Sequence, residues 1–217
     1  MPELLTRVVV YLPLLLLALS VHEAAHAGAA RLTGDRTAER LGRLTLFPWA
    51  HVDLVGSLLL PAALLVLRAP FLIGYAKPAP VDPGQLRNPK RDLSLVALAG
   101  PASNLALALL LAAIGWLFYG YLGLDNSAGR LLIGAGIVLN LVLANLNMLP
   151  LPGFDGMKAL YAVLPDSWCW QLQRSERYFL VVLVLVAWTQ ALDLALVPAW
   201  WASQQLCSMA GVGLPAL

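Results

Sequence analysis

Long, nearly uncharged apolar runs dominate the chain, with neither the period-two alternation of half-buried strands nor the single stripe of an amphipathic helix. Val8 to Ala30, Leu93 to Tyr121, Leu131 to Leu149 and Phe179 to Trp201 each reach the length of about 20 apolar residues that a helix needs to cross a bilayer. They predict four clear transmembrane helices. A fifth run, Leu54 to Leu67, is shorter than a full crossing and is followed by Arg68 and Pro70. Gly56, Pro61, Pro70, Gly74, Pro78 and Pro80 punctuate this region, which reads as a re-entrant element or a fifth hydrophobic segment. Irregular backbone at membrane depth needs protein or a water-filled cavity around it, so a cavity is implied. The proline-rich stretch around Lys77 cannot be helical and is expected as a small extended or β element on the cytoplasmic side. The fold class is therefore an all-α polytopic membrane protein. No internal repeat or low-complexity linker divides it, so it reads as a single domain, 1–217, with a core from 8 to 156 and an accessory C-terminal helix at 179–201.

Composition sharpens this picture. The 217 residues are 60% hydrophobic and 12% charged, about half the charged share that covers a soluble domain. That deficit excludes a nucleic-acid binder with a basic face, a disordered tail and a secreted disulfide scaffold. Basic residues cluster by position. Arg31, Arg36, Arg40, Arg43, Lys77, Arg87, Lys90 and Arg91 lie between the first two clear spans, and Lys158, Arg174 and Arg177 between the last two. The positive-inside rule puts both connections in the cytoplasm, with the ends near Arg7 and Arg130 and the region after the fourth span outside. This orientation is self-consistent when the stretch from Leu44 to Pro80 leaves the cytoplasmic side and returns to it. A secretory signal peptide at Val8 to Leu19 is disfavoured by its weak n-region, which holds Glu3 and a lone Arg7. Cys169 and Cys207 have no metal-like spacing and read as packing residues.

The first span carries chemistry. His22-Glu23-Ala24-Ala25-His26 fits H-E-x-x-H, which sets two imidazoles at i and i+4 on one helical face for one Zn²⁺, with Glu23 beside them as general base. Ionisable side chains in an apolar helix cost several kcal/mol unless paired or coordinated, so coordination offsets a penalty the sequence otherwise leaves open. The competing reading is a pair of interfacial histidines with Glu23 bonded to a neighbouring helix. A catalytic zinc takes three protein ligands. Among the acidic residues, Asp155 after the third span and Asp193 inside the fourth are the candidates, and Asp155 is favoured. Pro150 and Pro152 free the backbone to turn there, Gly153 and Gly156 permit close approach, and this end of the third span reaches the depth of His22 and His26. An ordinary capping Asp is the alternative.

On three motifs the chain resembles the site-2 proteases, the intramembrane zinc metalloproteases. They are the His22–His26 run, Gly100-Pro101-Ala102-Ser103-Asn104, and the Asn-x-x-Pro-x-Pro-x-x-Asp-Gly run from Asn147 to Gly156. Lesser matches are Gly34-Asp35, Gly42 to Thr45, His51-x-Asp53 and Ala76 to Val81, and the overall pattern looks like the short subgroup without PDZ or CBS domains. Gly153-Phe154 departs from the apolar pair more usual before the Asp, which bears on local shape only. The resemblance implies one Zn²⁺ per chain held by His22, His26 and Asp155, Glu23 as general base, and Asn147 as a polar group near the scissile carbonyl. It also implies regulated intramembrane proteolysis, the hydrolysis of peptide bonds in or beside transmembrane segments of membrane-protein substrates. The protein is then expected in a prokaryotic inner membrane with its site toward the cytoplasm, and no nucleic acid takes part. A homo-oligomer or a regulatory partner is left open.

Other polar residues carry weaker claims. His51 and Asp53 read as a turn that anchors the re-entrant element, with a second metal contact as the alternative. Lys77 lies on a backbone edge that either pairs with an extended substrate or merely closes the cavity. Ser103 and Asn104 read mainly as helix packing, with Asn104 a neighbour of the site. The rival to the protease is a metal or proton transporter that uses His22, Glu23, His26 and Asp155 as a relay.

Overall fold

The computed structural model describes residues 2–59, 75–189 and 191–215. The main elements are α1 (Pro2–Thr33), the short α2 (Thr37–Arg40), α3 (Pro89–Gly115), α4 (Ser127–Asn147), α5 (Asp155–Ala159), α6 (Asp166–Ser175), α7 (Phe179–Trp188) and α8 (Ala191–Met209). Three helical segments among the described residues are long and apolar enough to cross a membrane: Val9–Thr33, Pro89–Tyr121 and Ser127–Asn147. The second includes a wider π-helical stretch, Trp116–Tyr121, that continues α3. These three match the first three expected spans within a few residues.

The fourth expected span differs. The apolar run from Phe179 to Trp201 is divided, because Thr189 takes up extended backbone (φ −93°, ψ 153°) and closes α7. The polar pair Thr189-Gln190 interrupts the run at that point, and α8 then continues past Trp201 through Ser203, Gln204 and Gln205. The short hydrophobic segment is described only at its start, where Leu54–Leu59 form a π-helical turn. Its remainder, 60–67, lies outside the described residues. The stretch 75–82 is extended as expected, but no β-strand occurs among the described residues.

Local chemistry explains the helix ends. Pro89 occupies the first turn of α3, where a missing N–H costs nothing, and the Asp92 carboxylate accepts from the Asn88 N–H at 2.7 Å. The Asn126 side chain caps α4 by accepting from the Gly129 N–H. At the end of α1, Gly34 turns into the left-handed region (φ +118°), and Asp35 N–H returns to the Ala30 carbonyl. Asp35 is fully buried there, and its two carboxylate oxygens accept from Thr37 N–H and Asp82 N–H at 2.8 and 2.7 Å. Arg87 N–H adds a bond to the Thr33 carbonyl. This clasp fastens the segment that leads into α3 to the end of α1.

The segment that begins at Tyr75 is tied by its main chain. Tyr75 N–H donates to the Gly56 carbonyl and Lys77 N–H to the His51 carbonyl, which joins the segment at 75–77 to the one at 51–56. α1 packs against α3, α3 against α4, and α4 against α8. Small residues make the close approach possible. Ala108 and Ala112 of α3, Ile137, Val138 and Leu141 of α4, and Ala199 and Cys207 of α8 form the buried core. Leu105, Leu109, Leu110 and Leu132 point outward, as expected of helices whose surroundings are acyl chains. Both cysteines are free, Cys207 buried and Cys169 half-buried.

Candidate active site

Three elements converge near the end of α1. His22 and His26 lie one turn apart on the face of α1 that meets α3, and both are buried. Their Nε2 atoms are 3.0 Å apart. After α4 the chain turns through Pro150 and Pro152, Gly153 adopts φ +86°, and α5 opens on Asp155. Gly156 seats this turn. A Cβ there would stand 2.2 Å from the Met148 carbonyl oxygen, so any larger residue would push Asp155 away. In the observed arrangement Asp155 Oδ2 lies 3.1 Å from His22 Nε2 and 3.2 Å from His26 Nε2.

The second nitrogen of each ring is engaged. His26 Nδ1–H donates to the Val96 carbonyl at 2.7 Å, and His22 Nδ1–H donates to Asn104 Oδ1 at 2.6 Å. A backbone carbonyl can only accept, so His26 Nδ1 carries a proton, and in its neutral form the ring turns a bare Nε2 lone pair toward Asp155. His22 does the same. Two lone pairs and a carboxylate oxygen thus face one point, an arrangement that repels itself unless a cation or protons occupy it. Tetrahedral coordination with metal–nitrogen bonds of about 2.0–2.1 Å separates ligand atoms by about 3.3 Å. The spacings of 3.0, 3.1 and 3.2 Å fit that edge length. His22, His26 and Asp155 are accordingly a group able to hold a metal ion.

Glu23 stands apart from this donor set. It is buried on α1, and its Oε2 accepts from the Ala79 N–H at 2.7 Å. The partner is a main-chain group of the extended stretch, flanked by Pro78 and Pro80, which have no N–H to offer. α3 supplies the opposite wall. A Cβ on Gly100 would stand 2.3 Å from His26 Nε2 and 2.6 Å from His22 Nε2, so glycine is what lets α3 approach the two rings. Phe154 and Tyr75 each meet the Phe179 ring edge to face, with centroids 5.6 and 5.8 Å apart, on the Asp155 side.

The remaining sequence candidates fall as follows. Asn147 directs its amide to the Leu143 carbonyl of its own helix at 3.0 Å. Asp193 is exposed on α8 and is outside the donor group. His51 Nε2–H donates to the Thr45 carbonyl at 2.9 Å, and Asp53 Oδ1 accepts from Val55 and Gly56 N–H, which are turn-anchoring bonds. The Lys77 side chain is exposed, and the contact with the site comes two residues later, from the Ala79 main chain. Ser103 donates to the Gly100 carbonyl within α3. Asn104 does more than pack, since it holds His22 directly.

A converged His, His and carboxylate donor set with a separate Glu, built on membrane-length helices, defines an integral-membrane metalloprotein of the H-E-x-x-H type. No family model and no solved structure matches the chain. Among curated proteins it is similar to the "putative zinc metalloprotease YwhC" of Bacillus subtilis, at 36% identity over 181 residues, 79% of this chain and 77% of that protein. Rip2 of Mycolicibacterium smegmatis, which carries the same description, is 33% identical over 178 residues, 82% of this chain and 66% of the relative. A shorter match, 43% identical over 68 residues, links 30% of this chain to the similarly described MJ0611 of Methanocaldococcus jannaschii. The chain belongs to the site-2 protease family.

Proposed function

We propose that the protein is an intramembrane zinc endopeptidase that hydrolyses peptide bonds in or beside the transmembrane segments of other membrane proteins. The observation that carries this reading is the convergence of the two Nε2 atoms and the Asp155 oxygen, mutually 3.0 to 3.2 Å apart, beside a Glu that is not one of them. Two imidazoles and one carboxylate suit Zn²⁺ and leave a fourth position free. When bound, the ion supplies Lewis acidity, which polarises the scissile carbonyl and acidifies a water. Glu23 accepts the proton of the attacking water and then delivers it to the leaving amine. The Ala79 N–H fixes one carboxylate oxygen of Glu23, so the other is free to serve as the base. Asn147 is proposed as a polar contact for the substrate near the cut.

The substrate backbone must be unwound at the site, because helical carbonyls are engaged in i to i+4 hydrogen bonds. A transporter relay is less well supported, since Glu23 is tied to Ala79 and lies outside the ligand set. The family names of the relatives support the protease instead. The test is reconstitution of the purified chain in liposomes with a single-span reporter whose transmembrane segment carries Gly. Cleavage inside that segment, together with about one zinc per chain, is the expected result. An uncut reporter beside zinc-loaded protein would refute the reading.

The same proposal places the site toward the cytoplasm of a prokaryotic inner membrane, on the basic-residue asymmetry. Single cysteines at Ser127 and Ser167 lie at the first residue of α4 and early in α6. An impermeant thiol reagent applied outside intact cells is expected to label the cysteine at 127 and spare the one at 167. The reverse pattern would invert the orientation.

A further inference from the structure

We propose that Asn140 on α4 is a positioning residue for the metal site, setting the tautomer of His22 through Asn104. This rests on the reading of His22 as a ligand. Asn104 and Asn140 are both buried among apolar helices, where an unpaired amide is expensive. Asn140 Nδ2 donates to the Gly136 carbonyl at 2.8 Å, which turns its Oδ1 toward α3. Asn104 Nδ2 donates to that Oδ1 at 2.8 Å and to the Ala18 carbonyl of α1 at 3.3 Å. Asn104 Oδ1 is thereby directed at His22 Nδ1, 2.6 Å away.

Each amide in this relay is oriented by the next. A flipped Asn104 would set its oxygen against two other oxygens and its NH2 against His22 Nδ1. The ring would then have to accept at Nδ1 and carry its proton on Nε2, the tautomer that cannot bind a metal there. His26 needs no such relay, because the Val96 carbonyl fixes it directly. The two ligands are therefore held by different means, and His22 depends on a side chain in α4 whose hydrogen bonds run to Asn104 and the Gly136 carbonyl.

The experiment measures zinc affinity by competition with a chelator in purified, detergent-solubilised protein, for Asn140→Leu, Asn104→Leu and the double variant. Loss of an outer partner of a metal-bound His typically weakens affinity 10- to 100-fold. Asn104→Leu is expected within that range. Asn140→Leu should fall at roughly its lower end, about 10-fold, because the Ala18 carbonyl still favours the right orientation. Asn140→Leu should then have no further effect once Asn104 is Leu, the non-additivity expected of one path. Asn140→Ser guards against a folding defect, since its hydroxyl can bond back to the Gly136 carbonyl as Ser20 and Ser203 do to Leu16 and Ala199. Unchanged affinity in both Asn140 variants, or equal weakening with and without Asn104, would overturn the relay. A parent protein that binds no zinc would instead sink the metalloprotease reading on which the relay depends.

Discussion

Glu23→Gln is expected to abolish measurable proteolysis and keep the metal. The reason is the separation of roles in the site. Glu23 is not among the three converging ligand atoms, and its one oriented oxygen accepts from the Ala79 N–H at 2.7 Å. A Gln side chain has the same length and can present its carbonyl oxygen to that N–H, so the extended stretch stays seated. The amide cannot take a proton from water or return one to a leaving amine. General acid–base catalysis contributes roughly 10²- to 10⁴-fold, and here one residue serves both transfers, so the upper part of that range is expected. Zinc content by elemental analysis, measured beside single-turnover cleavage of a reporter, separates the outcomes. A variant that loses its zinc would make Glu23 a ligand and revive the transporter.

What could be read in the sequence follows from the range of each interaction. His22 and His26 are four residues apart on one helix, so their common face is fixed by helical geometry and needs no knowledge of the fold. Asp155 was approachable because Pro150, Pro152, Gly153 and Gly156 announce a turn at the end of a span. The groups missed are those that act through pairing between helices or through main chain. Asn104 and Asn140 are separated by 36 residues, and nothing in the pattern of either apolar run says that their amides meet. Asn104 is expected beside the site from the sequence, but its bond to His22 and the part of Asn140 are not, although a polar residue inside a membrane-length helix is a signal that could have flagged Asn140. The backbone edge around Lys77 is legible from its prolines, but the bond from the Ala79 N–H to Glu23 is not, because a main-chain donor leaves no trace in a residue's identity. The division of the last apolar run at Thr189 was marked only by one polar pair, a signal too weak to outweigh the length of the run.

Gly100→Ala should weaken zinc binding by about 100-fold or more although it adds a single methyl group to a helix. By propensity alone the change favours α3, since Ala is about 1 kcal/mol better than Gly in a helix interior. The local contacts oppose it. The new Cβ would lie 2.3 Å from His26 Nε2 and 2.6 Å from both Cε1 and Nε2 of His22, well inside van der Waals contact. The rings cannot yield independently, because His26 is tied to the Val96 carbonyl and His22 to Asn104, both on α3 itself. Relief therefore requires α1 to retreat from α3 or the imidazoles to turn and surrender these bonds, and either movement disperses the ligand atoms. Affinity is expected to fall by about 100-fold or more, at or beyond the top of the range for losing an outer partner, because the ligands themselves are displaced. Gly28→Ala provides the control on α1, two residues after His26. Its Cβ would meet only Leu44 Cδ1, at 3.9 Å, so it should gain the same propensity and keep its zinc. Helix content by circular dichroism should match in parent and both variants, with chelator competition distinguishing them. If Gly100→Ala binds zinc as tightly as Gly28→Ala, then the close approach of α3 to the two histidines is not what shapes this site.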